Sequence, residues 1–266
     1  MKKITFLFSA FVLLLSSCTE VVEIELTTSE PKLVVEALIT DNVEPFQVKL
    51  TLLAPYFDAN NPGVSNAEVY ISDNTGNVDT LYHTSNGIYQ TIGNRQGVLG
   101  RTYSLLVLYN GTSFTANSTI PANKMMLDTI TTIYNQQSAF IDEGYNVILN
   151  AQDNGATVDY YRFLFYKNDT LQTDPFKYFV TDDEQVQGNY IIAQVPFNYQ
   201  TGDTARVEIQ CLDLDYFTYL NAVATQTQNT GGPFDSPPSN PPSNISNGAL
   251  GYFAAVSRNW KEIVLP

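Results

Sequence analysis

Cysteine, histidine and basic residues are scarce in this 266-residue sequence, and each shortage excludes a class of chemistry. Two cysteines and one histidine cannot build a clustered Cys/His metal site. Cys211 lies in an alternating apolar segment and is predicted to be a small buried strand residue rather than a reactive thiol. His83 lies in a predicted strand with no Gly-x-Ser-x-Gly motif near it, which favours a surface imidazole over a catalytic base. The sequence therefore predicts no catalytic residue and no cofactor.

Positive charge is also lacking. Lysine and arginine together number 13 against 27 aspartates and glutamates, which gives a net charge of −14. Such a surface repels nucleic acid and anionic lipid headgroups, so neither is an expected partner. Only 15% of the residues are charged, while Tyr, Phe, Thr, Asn and Gln are abundant. That mixture favours β-sheets whose outer faces are polar but uncharged.

The first 18 residues have the layout of a secretory signal. Lys2 and Lys3 precede an apolar stretch from Ile4 to Leu15, which is shorter than the roughly 20 residues that a bilayer span needs. The run Leu-Ser-Ser-Cys ending at Cys18 resembles the lipobox of bacterial lipoproteins. This resemblance implies that residues 1–17 are removed and that Cys18 is acylated. The alternative is an ordinary cleaved signal with an incidental cysteine.

Residues 18–30 form a predicted acidic tether. Thr19, rather than Asp, follows the lipid cysteine, and its resemblance to Gram-negative lipoproteins implies a lipid anchor in the outer membrane, on either the periplasmic or the cell-surface face. The membrane contact is expected to come from acyl chains, since more than one chain anchors a protein firmly.

Short alternating segments predict a mainly β protein with two antiparallel β-sandwich domains, immunoglobulin/fibronectin III-like or transthyretin-like, at 31–121 and 125–266. The dipeptide Asn110-Gly111 between two apolar strands predicts a hairpin with a type I′ turn. Pro121–Lys124 is the predicted linker between the domains.

One short helix is predicted at 215–227, before the last strands of the second domain. Asp215 is the expected N-cap, and Tyr216, Leu220 and Val223 are expected to be buried. A final strand pair is predicted across Ala249–Val256 and Lys261–Leu265.

A Pro-rich loop is predicted at 231–247, between this helix and the end of the chain. Prolines lower the entropy lost when an extended segment docks, and an aromatic residue in such a segment can anchor it. Phe234, Pro237 and Pro238 are therefore the candidate binding residues. The alternative is that the loop only covers the edge of a sheet.

Three groups of acidic residues could supply oxygen ligands to calcium: Asp182-Asp183-Glu184, Asp213 with Asp215, and Asp73 with Asp79. None has the Asp-x-Asp-x-Asp-Gly spacing of a dedicated calcium loop. We interpret them as solvated turn acids and a helix cap, and the sequence predicts no metal site.

Several segments together resemble the bacterial lipoprotein family classed as domain of unknown function 4249: Lys32–Ile39, Asn66–Val69, Gly100–Leu105, Tyr216–Leu220 and Asn247–Phe253. The first half is also similar to the carboxypeptidase regulatory-like sandwich found on TonB-dependent transporters. The resemblance implies an outer-membrane lipoprotein that is often encoded near such transporters, with no established activity and no catalytic residues. The expected function is a non-enzymatic accessory or binding component beside a TonB-dependent transporter. The alternative is a stand-alone carbohydrate- or peptide-binding surface lipoprotein.

Overall fold

The structure is a computed structural model that describes residues 31–53, 61–138, 142–173, 179–227 and 239–266. It confirms a mainly β protein with a short helix before the final strand. In chain order the elements are β1 (Leu33–Thr40), β2 (Gln47–Leu52), β3 (Glu68–Asp73), β4 (Val78–Ser85), β5 (Ile88–Thr91), β6 (Thr102–Tyr109), β7 (Thr112–Thr119), β8 (Met126–Asn135), β9 (Gly144–Gln152), β10 (Tyr160–Lys167), β11 (Thr170–Leu171), β12 (Val180–Asp182), β13 (Tyr190–Tyr199), β14 (Thr204–Leu212), α1 (Leu214–Thr227) and β15 (Leu250–Val264).

These strands form two sheets. The larger sheet has 12 strands, in the order β11-β10-β14-β15-β1-β2-β5-β4-β3-β6-β7, with β12 also paired to β10. The smaller sheet has the order β13-β9-β8. Because β1 pairs with β15, one continuous sheet includes strands from both of the predicted domains. The domain boundary at 121–125 stays a prediction.

The predicted hairpin is confirmed. Tyr109 of β6 pairs with Thr112 of β7, so two residues connect the strands. Asn110 has φ 48° and Gly111 has φ 76°. Positive φ at both central residues is the signature of a type I′ turn, whose twist matches that of the flanking strands.

The predicted final strand pair is wrong, because residues 250–264 form the single strand β15. The segment Ser257–Trp260, where we expected a break, contains neither glycine nor proline, so the backbone continues in the extended conformation. The first half of β15 pairs with β1 in parallel, and the second half pairs with β14 antiparallel. Gly251 makes the pairing with β1 possible: it has φ +89°, and a Cβ there would lie 2.0 Å from the Val35 carbonyl oxygen.

The helix is confirmed, but its predicted N-cap is wrong. Asp213 caps it, since its Oδ1 accepts a hydrogen bond from the Tyr216 N–H at 2.8 Å. Asp215 is the second residue of the helix, where a carboxylate still interacts favourably with the positive N-terminal end of the helix dipole. Tyr216 and Leu220 are buried as expected, whereas Val223 is only partly buried. Short-range spacing did not distinguish two aspartates that lie two residues apart.

Buried side chains form three clusters. The first lies between strands β1–β7 and includes Phe253 and Ala255 of β15. The second joins β8, β9, β13 and β14 with neighbouring residues. The third packs the helix against Tyr252, Ala254 and Val256. Successive side chains of β15 point to opposite faces, so one strand serves the first and third clusters at once.

Candidate functional site

The predicted site residues Cys18, Phe234, Pro237 and Pro238 lie outside the described residues, and their roles stay predictions. The end of the predicted loop is described, and it binds the outer edge of β7. The Ser246 N–H donates to the Thr115 carbonyl at 2.9 Å, and the Asn247 Nδ2 donates to the Ser113 carbonyl at 2.6 Å. This part of the loop therefore covers strand hydrogen-bonding groups, as the alternative interpretation expected.

Asn244 extends this contact from β7 to β15. Its Nδ2 donates to the carbonyls of Asn117 and Phe253, at 3.3 and 2.8 Å, and its Oδ1 accepts the Phe253 N–H at 3.0 Å. One amide side chain thus joins two strands that do not pair with each other in the sheet order. Residues 244–247 have a structural role, which leaves residues 231–238 as the part of the loop to test for binding.

His83 and Cys211, a potential base and a potential nucleophile, are not arranged for catalysis. His83 is exposed on β4, with its ring 5.3 Å from that of Tyr89. Cys211 is buried in β14, and its Sγ accepts the Met125 N–H at 3.2 Å. Burial raises the pKa of the Cys211 thiol, which keeps it in the unreactive protonated form. Both side chains lie where the sequence placed them.

Asp73 and Asp79, one of the predicted calcium candidates, are each paired with an arginine. Arg101 lies 2.9 Å from Asp73, and Arg95 lies 2.6 Å from Asp79. Partial burial alone would raise the pKa of Asp73, but hydrogen bonds from Asn77 and Thr75 outweigh it and hold the pKa well below its usual range. Asp73 closes a turn, and both acids are neutralised by protein cations.

Asp183 contradicts our interpretation of the 182–184 acids as solvated. Its side chain is 0% exposed. It lies with Asp153 and Asp159, and one carboxylate oxygen from each lies within 4.8 Å of the others. Asp153 is buried and Asp159 is partly buried. Sequence reasoning missed Asp153 and Asp159. The turn-forming run Asp153-Asn154-Gly155 just after a strand was the available signal, but nothing in the sequence joins it to residue 183.

Two loops bring the three aspartates together. Asp153 and Asp159 flank the connection from β9 to β10, and Asp183 begins the connection from β12 to β13. The loops touch backbone to backbone, since a Cβ on Gly155 would lie 2.7 Å from the Gly188 Cα. The Asp183 N–H also donates to the Asp159 carbonyl at 3.1 Å. Glycine at both contact positions permits this close approach.

Hydrogen bonds fix Asp153 and Asp159 but not the carboxylate of Asp183. Asp153 Oδ1 accepts the Tyr161 hydroxyl at 2.7 Å, and its Oδ2 accepts the Gly188 N–H at 2.7 Å. Asp159 Oδ2 accepts the Thr157 hydroxyl at 2.9 Å. Burial, with the bond to Asp153 next, raises the pKa of Tyr161 above its usual range, so Tyr161 stays a proton donor. In contrast, neither Asp183 oxygen has a hydrogen-bond donor among the described residues.

The outer face of the β13-β9-β8 sheet is nearly free of charged side chains among its described residues. Register and burial place on this face Met126, Thr129, Thr131 and Ile133 of β8, Asn146, Ile148, Asn150 and Gln152 of β9, and Tyr190, Ile192 and Gln194 of β13. Asp128 lies at a bulge in β8, and its side chain forms a hydrogen bond with Tyr190 on this face. Ile192 is 69% exposed and Ile133 is 54% exposed. Composition predicted such polar, uncharged faces, and this sheet has one.

A cluster of three tyrosines lies between the helix and β15. The Tyr219 and Tyr252 ring centroids are 4.6 Å apart, and those of Tyr216 and Tyr252 are 5.1 Å apart. The rings border a cleft of about 320 Å³ that Gln47 and Lys49 also line. Tyr219 is the member of the cluster that keeps partial exposure.

Comparison with known families decides the relationship that the sequence only suggested. The model of a family described as "Domain of unknown function (DUF4249)" matches residues 19–262. The chain belongs to this family. Comparison with curated proteins gives no match. A solved structure of a DUF3823 family protein from Bacteroides uniformis ATCC 8492 is 10% identical, with a TM-score of 0.28, over 89% of this chain and 100% of that chain.

The matching family is described only as a domain of unknown function, and that description gives no sign of catalysis. The described part of the chain also contains no helix with the length and apolar character that a bilayer crossing requires.

Proposed function

We propose that this protein is a Gram-negative outer-membrane lipoprotein, anchored through acylated Cys18, that acts as a non-enzymatic accessory or binding component beside a TonB-dependent transporter. The observation that carries the proposal is the position of Cys18. It follows small residues at the end of a short apolar segment with a basic start, where a lipoprotein signal has its acylated cysteine. Membership of the DUF4249 family is consistent with this assignment.

The non-enzymatic part of the proposal rests on the described side chains. His83 contacts an aromatic ring, and Cys211 is buried as a thiol. The acids Asp73 and Asp79 each form an ion pair with an arginine. A nucleophile with an adjacent base is the minimum arrangement for covalent catalysis, and these groups do not form one.

The outer face of the β13-β9-β8 sheet, with Asp128 as its charged side chain among the described residues, is the surface we assign to the transporter. With a net charge of −14, the chain as a whole repels acidic surfaces. The outer face combines amide and hydroxyl side chains with exposed isoleucines, and depletion of charge is the compositional mark of an interface centre. A protein partner with an equally uncharged surface fits it.

A pull-down from mild detergent tests the partnership. The full chain should co-purify with a barrel transporter identified by mass spectrometry. Ile192→Glu should abolish co-purification because it buries a charge in the interface. Ile92→Glu is the matched control: Ile92 is 75% exposed but lies away from this face, so the partner should be retained. Failure of the wild type to retain any transporter would contradict the accessory role.

The anchor has its own test. Cys18→Ala should abolish labelling by a fatty-acid probe and move the protein out of the membrane fraction. Phe234→Ala and shortening of 237–242 test the predicted loop in the same pull-down. Loss of the partner at unchanged Tm would add the loop to the interface. Equal labelling of the Cys18→Ala protein would remove the lipid anchor from the proposal.

The tyrosine cluster favours one second candidate, a stand-alone carbohydrate-binding surface lipoprotein. Sugars stack on aromatic rings, and Gln47 and Lys49 supply hydrogen-bonding groups at the same cleft. Glycan-array binding that is lost in Tyr219→Ala, but kept in a Tyr82→Ala control on exposed β4, would favour this function. An array without binding would leave only the accessory role.

A further inference from the structure

The aspartate cluster carries an inference that is independent of the transporter. We infer that Asp153, Asp159 and Asp183 bind a calcium ion. Two separate observations support this inference. One oxygen from each of the three carboxylates lies within 4.8 Å of the others. Asp183, the most buried of the three, has no hydrogen-bond donor among the described residues.

The burial of Asp183 is the stronger observation. A carboxylate removed from water without a partner is strongly destabilising, so buried charges are paired or coordinate a metal. No lysine or arginine among the described residues forms an ion pair with any of the three aspartates. The described residues therefore supply no cation for these three converging carboxylates, and a bound metal ion would supply one.

The ligand chemistry selects calcium. All the converging atoms are carboxylate oxygens, the donors that hard divalent cations prefer. Calcium binds oxygen at about 2.3–2.6 Å, so two ligand oxygens on one ion lie at most about 5 Å apart. The observed limit of 4.8 Å fits that span. Magnesium binds at about 2.0–2.1 Å and demands near-octahedral geometry, which ligands from two separate loops meet less readily.

The surroundings hold these ligands in place. The Tyr161 hydroxyl and the Gly188 N–H orient Asp153, while the Thr157 hydroxyl orients Asp159. Each bonded oxygen keeps a further lone pair for a metal. The Gly155–Gly188 contact fixes the distance between the two loops. Calcium would join the β9–β10 and β12–β13 connections, and thereby stabilise this end of the second core.

The test uses the purified full chain in mild detergent, stripped with a chelator. Adding calcium should raise Tm by roughly 5–10 °C at a concentration about 100-fold above Kd. Equilibrium dialysis should give one calcium per chain. Terbium should replace calcium and luminesce when tyrosine is excited, because Tyr161 is bonded to a ligand.

Asp183→Asn should lose the calcium-dependent rise in Tm, while Glu184→Gln should keep it. Glu184 is the next residue, is exposed and undergoes the same change of charge, so it is the matched control. Asp159→Asn is the second variant if Asp183→Asn does not fold. Asp159 is only partly buried, and its substitution should weaken calcium binding at least tenfold.

Three results would overturn the inference. The first is a wild type whose Tm does not respond to calcium. The second is a response of equal size in Asp183→Asn. The third is a magnesium affinity equal to that for calcium. A calcium-insensitive wild type that Asp183→Asn stabilises would instead identify Asp183 as a buried protonated acid.

Discussion

The segments before Pro121 and after Lys124 differ in how each completes its buried core. The second core uses only residues between Met125 and Leu265. The first core needs four residues from the far end of the chain, namely Ile245, Ala249, Phe253 and Ala255. The earlier segment therefore cannot close its core until the last strand has been added. Such distant pairings are expected to slow folding, because loop closure precedes the contacts that reward it.

The two segments also differ in how they neutralise acidic groups. In the earlier segment Asp73 and Asp79 are each paired with an arginine. In the later segment Glu208 is 1% exposed and paired with Arg258 through two bonds of 2.8 Å, but Asp183 has no such cation among the residues that the structure describes. The comparison separates acids that the protein neutralises itself from acids that require an external ion.

The largest effect is expected from a substitution that removes a β15 side chain from the first core. Phe253→Ala should lower the free energy of unfolding by about 3–5 kcal/mol, because Phe253 is fully buried. Hydrogen exchange should show lost protection in β2 and β6, more than 140 residues away in sequence. Ile209→Ala, in the second core, is the control and should affect β9 and β10 more. The same exchange pattern in both variants would show that the cores are not separable.

A smaller effect is expected where β15 meets β1. Gly251→Ala places a Cβ against the Val35 carbonyl at positive φ, and should cost about 2–3 kcal/mol in chemical unfolding. Gly76→Ala is the control, since Gly76 also has positive φ but no atom lies within 4 Å of its added Cβ. It should cost about 1 kcal/mol. Equal costs would mean that the close approach of β15 and β1 adds nothing.

The smallest expected effect concerns pH in the later segment. A hydrogen bond from Lys167, with others from the Gln200 N–H and Asn168, lowers the pKa of Asp203 to about 2. A lowered folded pKa gives stability that is present above the unfolded value near 4 and is lost as the pH falls towards 2. Asp203→Asn should therefore cost about 1 kcal/mol or less at pH 6, and progressively less as the pH falls through about 2. Urea midpoints across this range measure the difference, and a cost independent of pH would contradict the assignment.

Local patterns predicted local structure well. Asn110-Gly111 specifies its turn because only residues that tolerate positive φ fit there. Tyr216 and Leu220 lie four residues apart, so helical geometry places them on one buried face. The error in the predicted N-cap has another cause, which is a contact between distant parts of the chain. Asp213 is the cap because Tyr216 bonds to it, and its second oxygen accepts the Ser118 hydroxyl of β7 at 2.7 Å, a contact made across 95 residues.

The aspartate cluster could not be predicted from spacing, because its members come from two connections that only packing brings together. The sequence by itself determined the β class, the hairpin, the helix, the buried Cys211 and the uncharged strand faces. Each depends on side-chain periodicity or on turn chemistry within a few residues. Only the tertiary structure decided that β15 contributes to the first and third clusters and that Asp183 is buried beside Asp153 and Asp159. Burial depends on which distant parts of the backbone pack together. Here the packing requires two close approaches, of Gly251 to Val35 and of Gly155 to Gly188.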